Sequence, residues 1–93
     1  MLKDPMHPGA VLKELYLAPL DMSAIALARQ LKLPRTRIER LIKGITGVTP
    51  DTAARLARFF GTTPNYWLNL QTNFDLAHID TDVSQIEPLR MAG

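Results

Sequence analysis

Only three residues, Lys32-Leu33-Pro34, separate two stretches in which apolar side chains recur at helical spacing. On one side stand Ile25, Leu27, Ala28 and Leu31, preceded by Ser23 as an N-cap. On the other stand Ile38, Leu41 and Ile42, with Gly44 after Lys43 as a stop. A connection this short forces the two helices to cross steeply and leaves the second one protruding.

The rest of the chain carries the same helical punctuation. His7-Pro8 opens an apolar pattern at Val11, Leu12, Leu15 and Tyr16 that should end near Ala18-Pro19. Thr49-Pro50-Asp51 combines a capping hydroxyl, a first-turn proline and a carboxylate at the positive end of the helix dipole. It predicts a fourth helix through Leu56, Phe59 and Phe60, closed by Gly61. Thr63-Pro64 opens a fifth, in which Trp67, Leu70, Gln71, Phe74 and His78 lie at steps of three and four. No stretch alternates as a half-buried strand does, so the expectation is all-α, five short helices around one core. Residues 1–78 should form that domain, and the acidic residues 79–93 a loose tail.

Charge is unevenly divided along the 93 residues, whose net value is only +2. Residues 1–28 sum to −1 and residues 59–93 to −3, whereas Arg29, Lys32, Arg35, Arg37, Arg40, Lys43, Arg55 and Arg58 leave residues 29–58 at +6. A concentration of this kind attracts a polyanion at long range. Other functions find little support. A chain of 10.4 kDa closes one core and is not a multidomain enzyme. With no cysteine there is no disulfide framework, thiolate metal cluster or cysteine nucleophile. His7 and His78 stand far apart with no ligand spacing to complete a metal site, and Ser23 and Ser84 have no base or glycine-rich elbow. No enzyme, no cofactor and no metal are expected. No apolar run is long enough to span a bilayer, and Met1-Leu2-Lys3-Asp4-Pro5 lacks the apolar core of a secretory signal. A soluble, cytoplasmic protein is expected.

The second of the two closely joined helices carries Arg35, Thr36, Arg37, Glu39, Arg40 and Lys43 away from its apolar face. This is a helix-turn-helix layout, and such a helix fits the major groove of double-stranded DNA. Arg35 and Thr36, in its first turn, and Arg40, one turn on, are expected to meet base edges. Arg37 and Lys43 suit phosphates. Glu39 has two readings: it accepts from a cytosine amine, or it fixes Arg35 or Arg40 through a local ion pair, and the second is preferred.

Two segments, Met22-Ser23-Ala24-Ile25-Ala26-Leu27-Ala28-Arg29-Gln30-Leu31 and Pro34-Arg35-Thr36-Arg37-Ile38-Glu39-Arg40-Leu41-Ile42-Lys43-Gly44, resemble the Cro/cI-type repressor helix-turn-helix. The flanks narrow the resemblance. His7-Pro8-Gly9 with Val11-Leu12, Thr49-Pro50-Asp51-Thr52-Ala53 with Arg55-Leu56-Ala57, and Thr63-Pro64 running into Trp67-Leu68-Asn69-Leu70-Gln71 are similar to the HigA antitoxin family over about residues 7–78. The resemblance implies a five-helix, lambda-repressor-like DNA-binding domain. It also implies a homodimeric repressor that binds a palindromic operator, regulates its own operon and neutralises a HigB-type, mRNA-cleaving toxin. By position, Arg35, Thr36 and Arg40 read bases, Lys43 touches phosphate, and Ala28 lets the two helices pack closely. Three positions depart from the family pattern. Ala24 replaces a phosphate-binding Gln, and Pro34 replaces the Ser or Thr cap of the third helix. Lys32 replaces a turn Gly, so that either a left-handed lysine is strained or the turn has another shape.

Trp67, Leu70 and Phe74 read first as core, yet a small dimer needs a self-complementary apolar patch, and relatives build it at the end of the domain. Tyr66, Leu70 and Phe74 are the expected interface. Two alternatives stand beside the antitoxin reading: an orphan regulator without a toxin, and a protein-interaction module that has lost operator binding.

Overall fold

The computed structural model describes residues 5–90. Lys3 and Asp4, counted in the charge division, and Met91-Ala92-Gly93 lie outside the described residues. Five helices form, and no strand occurs among the described residues. The first, α1, is a continuous run of three helical stretches, Pro8–Val11, Leu12–Leu17 and Ala18–Leu20; then follow α2 Ala24–Leu31, α3 Arg35–Ile42, α4 Pro50–Phe60 and α5 Pro64–Ala77.

Local chemistry explains most of the boundaries. Each of α2, α4 and α5 starts on a hydroxyl that accepts from a backbone amide three residues on: Ser23 from Ala26 at 3.1 Å, Thr49 from Thr52 at 3.4 Å, Thr63 from Tyr66 at 3.2 Å. At α1 the cap is His7, whose Nδ1 accepts from the Gly9 amide at 2.9 Å. Pro34 precedes α3 with extended backbone and no side-chain cap. Gly44 and Gly61 take the left-handed backbone after α3 and α4, at φ 75° and 71°.

The end of α1 departs from the sequence expectation. The helix does not stop near Ala18-Pro19 but runs through Pro19 to Asp21, which closes it in the left-handed region at φ 51°. A π-helical stretch over Leu12–Leu17 makes this possible, with the Ala18 amide donating back five residues to Lys13. In an α-helix Pro19 would leave one carbonyl without its donor and collide with it; a wider turn just ahead relaxes that conflict. The same widening rotates the face. Leu15, expected in the core, is 61% exposed, whereas Leu17 is buried. Ile25 and Phe59, read as apolar-face residues of α2 and α4, are also partly exposed, at 42% and 38%.

The core is one cluster of Leu12, Leu17, Leu27, Leu31, Ile38, Leu41, Val48, Leu56 and Trp67, with Ala28, Ala53 and Ala57 allowing close helix approach. Trp67 is fully buried and its Nε1–H donates to Thr62 Oγ1 at 2.8 Å. Around it Tyr16, Phe60 and Tyr66 pack with ring centroids 5.1, 6.2 and 5.0 Å from the indole. The Tyr16 hydroxyl donates to that of Tyr66 at 3.1 Å, and this bond, with burial, pushes Tyr16 up to about 12. Every described residue after Ala77 is exposed, and the segment 79–90 contains neither helix nor strand. The molecule extends 56 Å along one axis against 25 and 24 Å along the others.

Candidate nucleic-acid interface

The junction between α2 and α3 holds the first answer to the sequence reading. Lys32 is left-handed at φ 61° and ψ 42°, so the turn keeps the shape that a glycine would favour. Arg55 of α4 braces it, its Nη1 donating to the Leu31 carbonyl at 2.7 Å and to that of Lys32 at 3.4 Å. A non-glycine residue in this region costs about 1–2 kcal/mol. Lys32→Gly should therefore stabilise the domain by up to about 1 kcal/mol once the looser unfolded chain is counted. Thermal melts would register this as a Tm rise of a few degrees.

From that turn α3 projects with Ile38 and Leu41 buried and Ile42 half-buried beneath it. Thr36, Arg40 and Lys43, at steps of four and three, form one outward stripe; all three are exposed, as are Arg35 and Arg37 on its flanks. A cleft of about 410 Å³ lies beside the stripe, with Thr36, Arg37 and Arg40 on one wall and Thr46, Gly47 and Thr49 of the following loop on the other. Gln71 of α5 fixes this loop: its Oε1 accepts from the Val48 amide at 2.7 Å and its Nε2 donates to Asp75 at 2.9 Å.

Ion pairing sorts the cations of the basic segment. Among the described residues two ion pairs form, and both use Asp51 Oδ2, with Arg37 Nη1 at 2.8 Å and Arg55 Nε at 3.1 Å. The Arg37 bond, then Arg55, holds the Asp51 carboxyl below the usual carboxylate range. Arg37, expected to suit a phosphate, is thus engaged within the protein. Arg35, Arg40 and Lys43 have no ion-pair partner among the described residues. Glu39 does not form its expected local pair with Arg35 or Arg40. The geometry of a helix explains this: Arg40 is the next residue and points elsewhere, and a base placed four residues ahead of an acid is the weaker orientation.

Sequence reading placed Asp51 at the helix dipole and Arg55 in the basic concentration, and both in the family's flanking motif, but missed that they pair. The Asp51–Arg55 spacing of four residues on one helix was the available signal for that pair; nothing local announced Arg37, fourteen residues away. Of the expected interface residues, Tyr66, Leu70 and Phe74 are each half-buried against their own domain. Phe74 lies edge-on to His7, centroids 4.9 Å apart, and stacks on His78 at 4.2 Å.

His7 links α1, the loop after α3 and α5. Burial lowers its pKa below the ordinary 6.5, outweighing the Asp75 charge and the Thr46 backbone contact, which raise it. Its Nδ1 must be unprotonated to accept from Gly9. With a depressed folded pKa, the unfolded chain takes the proton first, so stability is intact above about pH 6.5 and is lost as pH falls below that value. Melting temperature should drop between pH 7.5 and 5.5. His7→Asn, which keeps an N-cap acceptor without titrating, should flatten that drop.

A helix-turn-helix family model matches residues 12–67. The chain belongs to the helix-turn-helix family. Within the family it is similar to virulence-associated protein I of Dichelobacter nodosus, 43% identical over 81 residues that cover 87% of this chain and 75% of the relative. Among solved structures it is similar to the Pseudomonas aeruginosa antitoxin HigA with the higBA promoter, at TM-score 0.77 and 38% identity over 78% of this chain and 79% of that one. It is also similar to antitoxin GraA in complex with its operator, at TM-score 0.85 and 34% identity over 98% of this chain and 100% of that one. The HigA-type resemblance and the all-α fold read from the sequence are thereby borne out. No helix of this helix-turn-helix protein, among its described residues, is long and apolar enough to cross a membrane.

Proposed function

We propose that this helix-turn-helix regulator is a homodimeric repressor of its own operon and the antitoxin of a HigB-type, mRNA-cleaving toxin. The observation that carries the DNA-binding part is the outward stripe of Thr36, Arg40 and Lys43 with Arg35 at its leading end. Its support from relatives is that HigA and GraA structures were solved with promoter and operator DNA. In this reading Arg35, Thr36 and Arg40 enter the major groove, Lys43 touches phosphate, and Glu39, free of a local pair, faces the cytosine side of a base step.

Dimerisation serves this geometry, because two recognition helices about 34 Å apart meet successive major grooves on one face of a palindromic site. The proposed contact runs along α5 at the uncovered edges of Tyr66, Leu70 and Phe74, each of which is half-buried. The cellular setting that follows is the cytoplasm.

Footprinting on the DNA upstream of its own gene, with a salt series, tests the regulator. Protection of a two-fold symmetric site is expected, together with a steep fall in affinity between low and physiological salt, as several phosphate contacts per dimer require. No protected site, or affinity indifferent to salt, would leave a protein-interaction module. Co-purification of a small basic protein encoded beside it, with suppression of its mRNA cleavage, tests the antitoxin role.

A further inference from the structure

We infer that Asp51 is a positioning residue that withholds Arg37 from the phosphate backbone and so lowers the sequence-independent part of DNA affinity. This rests on the DNA-binding reading above. Arg37 stands on the recognition helix beside the stripe and lines the same cleft as Thr36 and Arg40, so its guanidinium is within the zone where a phosphate would pass. It is bonded instead to Asp51 Oδ2 at 2.8 Å.

Asp51 is not a loose surface carboxylate. The same oxygen accepts from Arg55 Nε at 3.1 Å, and Arg55 is itself anchored on the Leu31 carbonyl at 2.7 Å. A chain of bonds therefore runs from the helix junction through Arg55 and Asp51 to Arg37, and it fixes where Arg37 points. Side-chain exposures of 45% for Arg37 and 56% for Asp51 make the pair a minor term in folding. Its effect falls on binding, because a guanidinium held by a carboxylate releases no counterion from DNA. Each cation freed onto a phosphate steepens the logarithmic salt dependence by about 0.9.

The test is a set of anisotropy titrations of the full chain on a random-sequence duplex and on the DNA upstream of its own gene, each over a salt series. Asp51→Ala, with Asp51→Asn as a second variant, should bind both duplexes about threefold to tenfold more tightly at low salt, with a slope steeper by about 0.9 per subunit. Arg55 still reaches the Leu31 and Lys32 carbonyls in these variants, so the junction stays closed, and melting curves check the fold. Arg37→Gln alone should change little, and in combination with Asp51→Ala it should return affinity and slope to the wild-type values. Three results overturn the inference: no gain on removing Asp51, a loss, or a gain that survives Arg37→Gln and so comes from the Asp51 charge alone. Wild-type protein that binds neither duplex would refute the DNA-binding reading itself and carry this inference with it.

Discussion

Replacing Gly9 with alanine should destabilise the fold by about 3 kcal/mol or more, at the upper end of what overpacking costs. Gly9 is buried in the first turn of α1, where its backbone lies directly on the last turn of α3. A Cβ there would overlap the Leu41 carbonyl and meet its carbon at 2.7 Å and Ile42 Cα at 3.0 Å. Those atoms are backbone, so no rotamer change relieves the clash, and either α1 lifts or α3 shifts. The Leu41 carbonyl also accepts from the Gly44 amide at 3.0 Å, so the closure of the recognition helix moves with it. Denaturant unfolding measures the loss, and DNA titration below the transition should show weakened binding even where the variant is folded. Gly61→Ala is the contrast: nothing lies within 4 Å of the added atom. It should cost only the left-handed backbone, about 1 kcal/mol.

The second large effect concerns recognition. Arg35→Ala or Arg40→Ala should weaken binding to the operator by about tenfold to a hundredfold, since a bidentate arginine–guanine contact carries roughly 1–3 kcal/mol. Binding to random-sequence DNA should fall much less. Both arginines are exposed on α3, so removing either leaves the core intact. Lys43→Ala should instead weaken both DNAs alike and lower the salt slope by about one. Parallel titrations on operator and random duplex separate the two classes. Equal losses for all three variants would refute the division between base and phosphate contacts.

The helix starts were legible because the signals that make them lie within four residues of one another. Ser23, Thr49 and Thr63 each cap through a hydroxyl reaching three residues on, and any chain with those residues there finds the same local bond. The three-residue junction was legible for the same reason. Lys32 settled one open alternative: the turn keeps its left-handed shape, and Arg55, arriving from twenty-four residues beyond Leu31, braces it. The course of α1 was not legible. Pro19 is a sound stop signal for an α-helix, and only the switch to π-helical bonding over Leu12–Leu17 overrode it. With that switch went the inward face, from Leu15 to Leu17.

Taken alone, the amino-acid order determined five helices, most of them capped, a tight junction, a cationic helix after it and a family pattern spread over most of the chain. These depend on interactions between near neighbours, whose geometry the backbone repeats wherever the residues recur. Tertiary packing decided which cations remain free. Asp51 claims Arg37 and Arg55 because the folding of α4 against the helix junction brings side chains from different helices within bonding distance, whereas Glu39, richer in nearby arginines along the chain, holds none among the described residues. It also decided that Tyr66, Leu70 and Phe74 turn partly toward their own core. Charge pairing and apolar burial act through space at a few ångströms, and proximity through space is set by how helices cross, which no periodicity encodes.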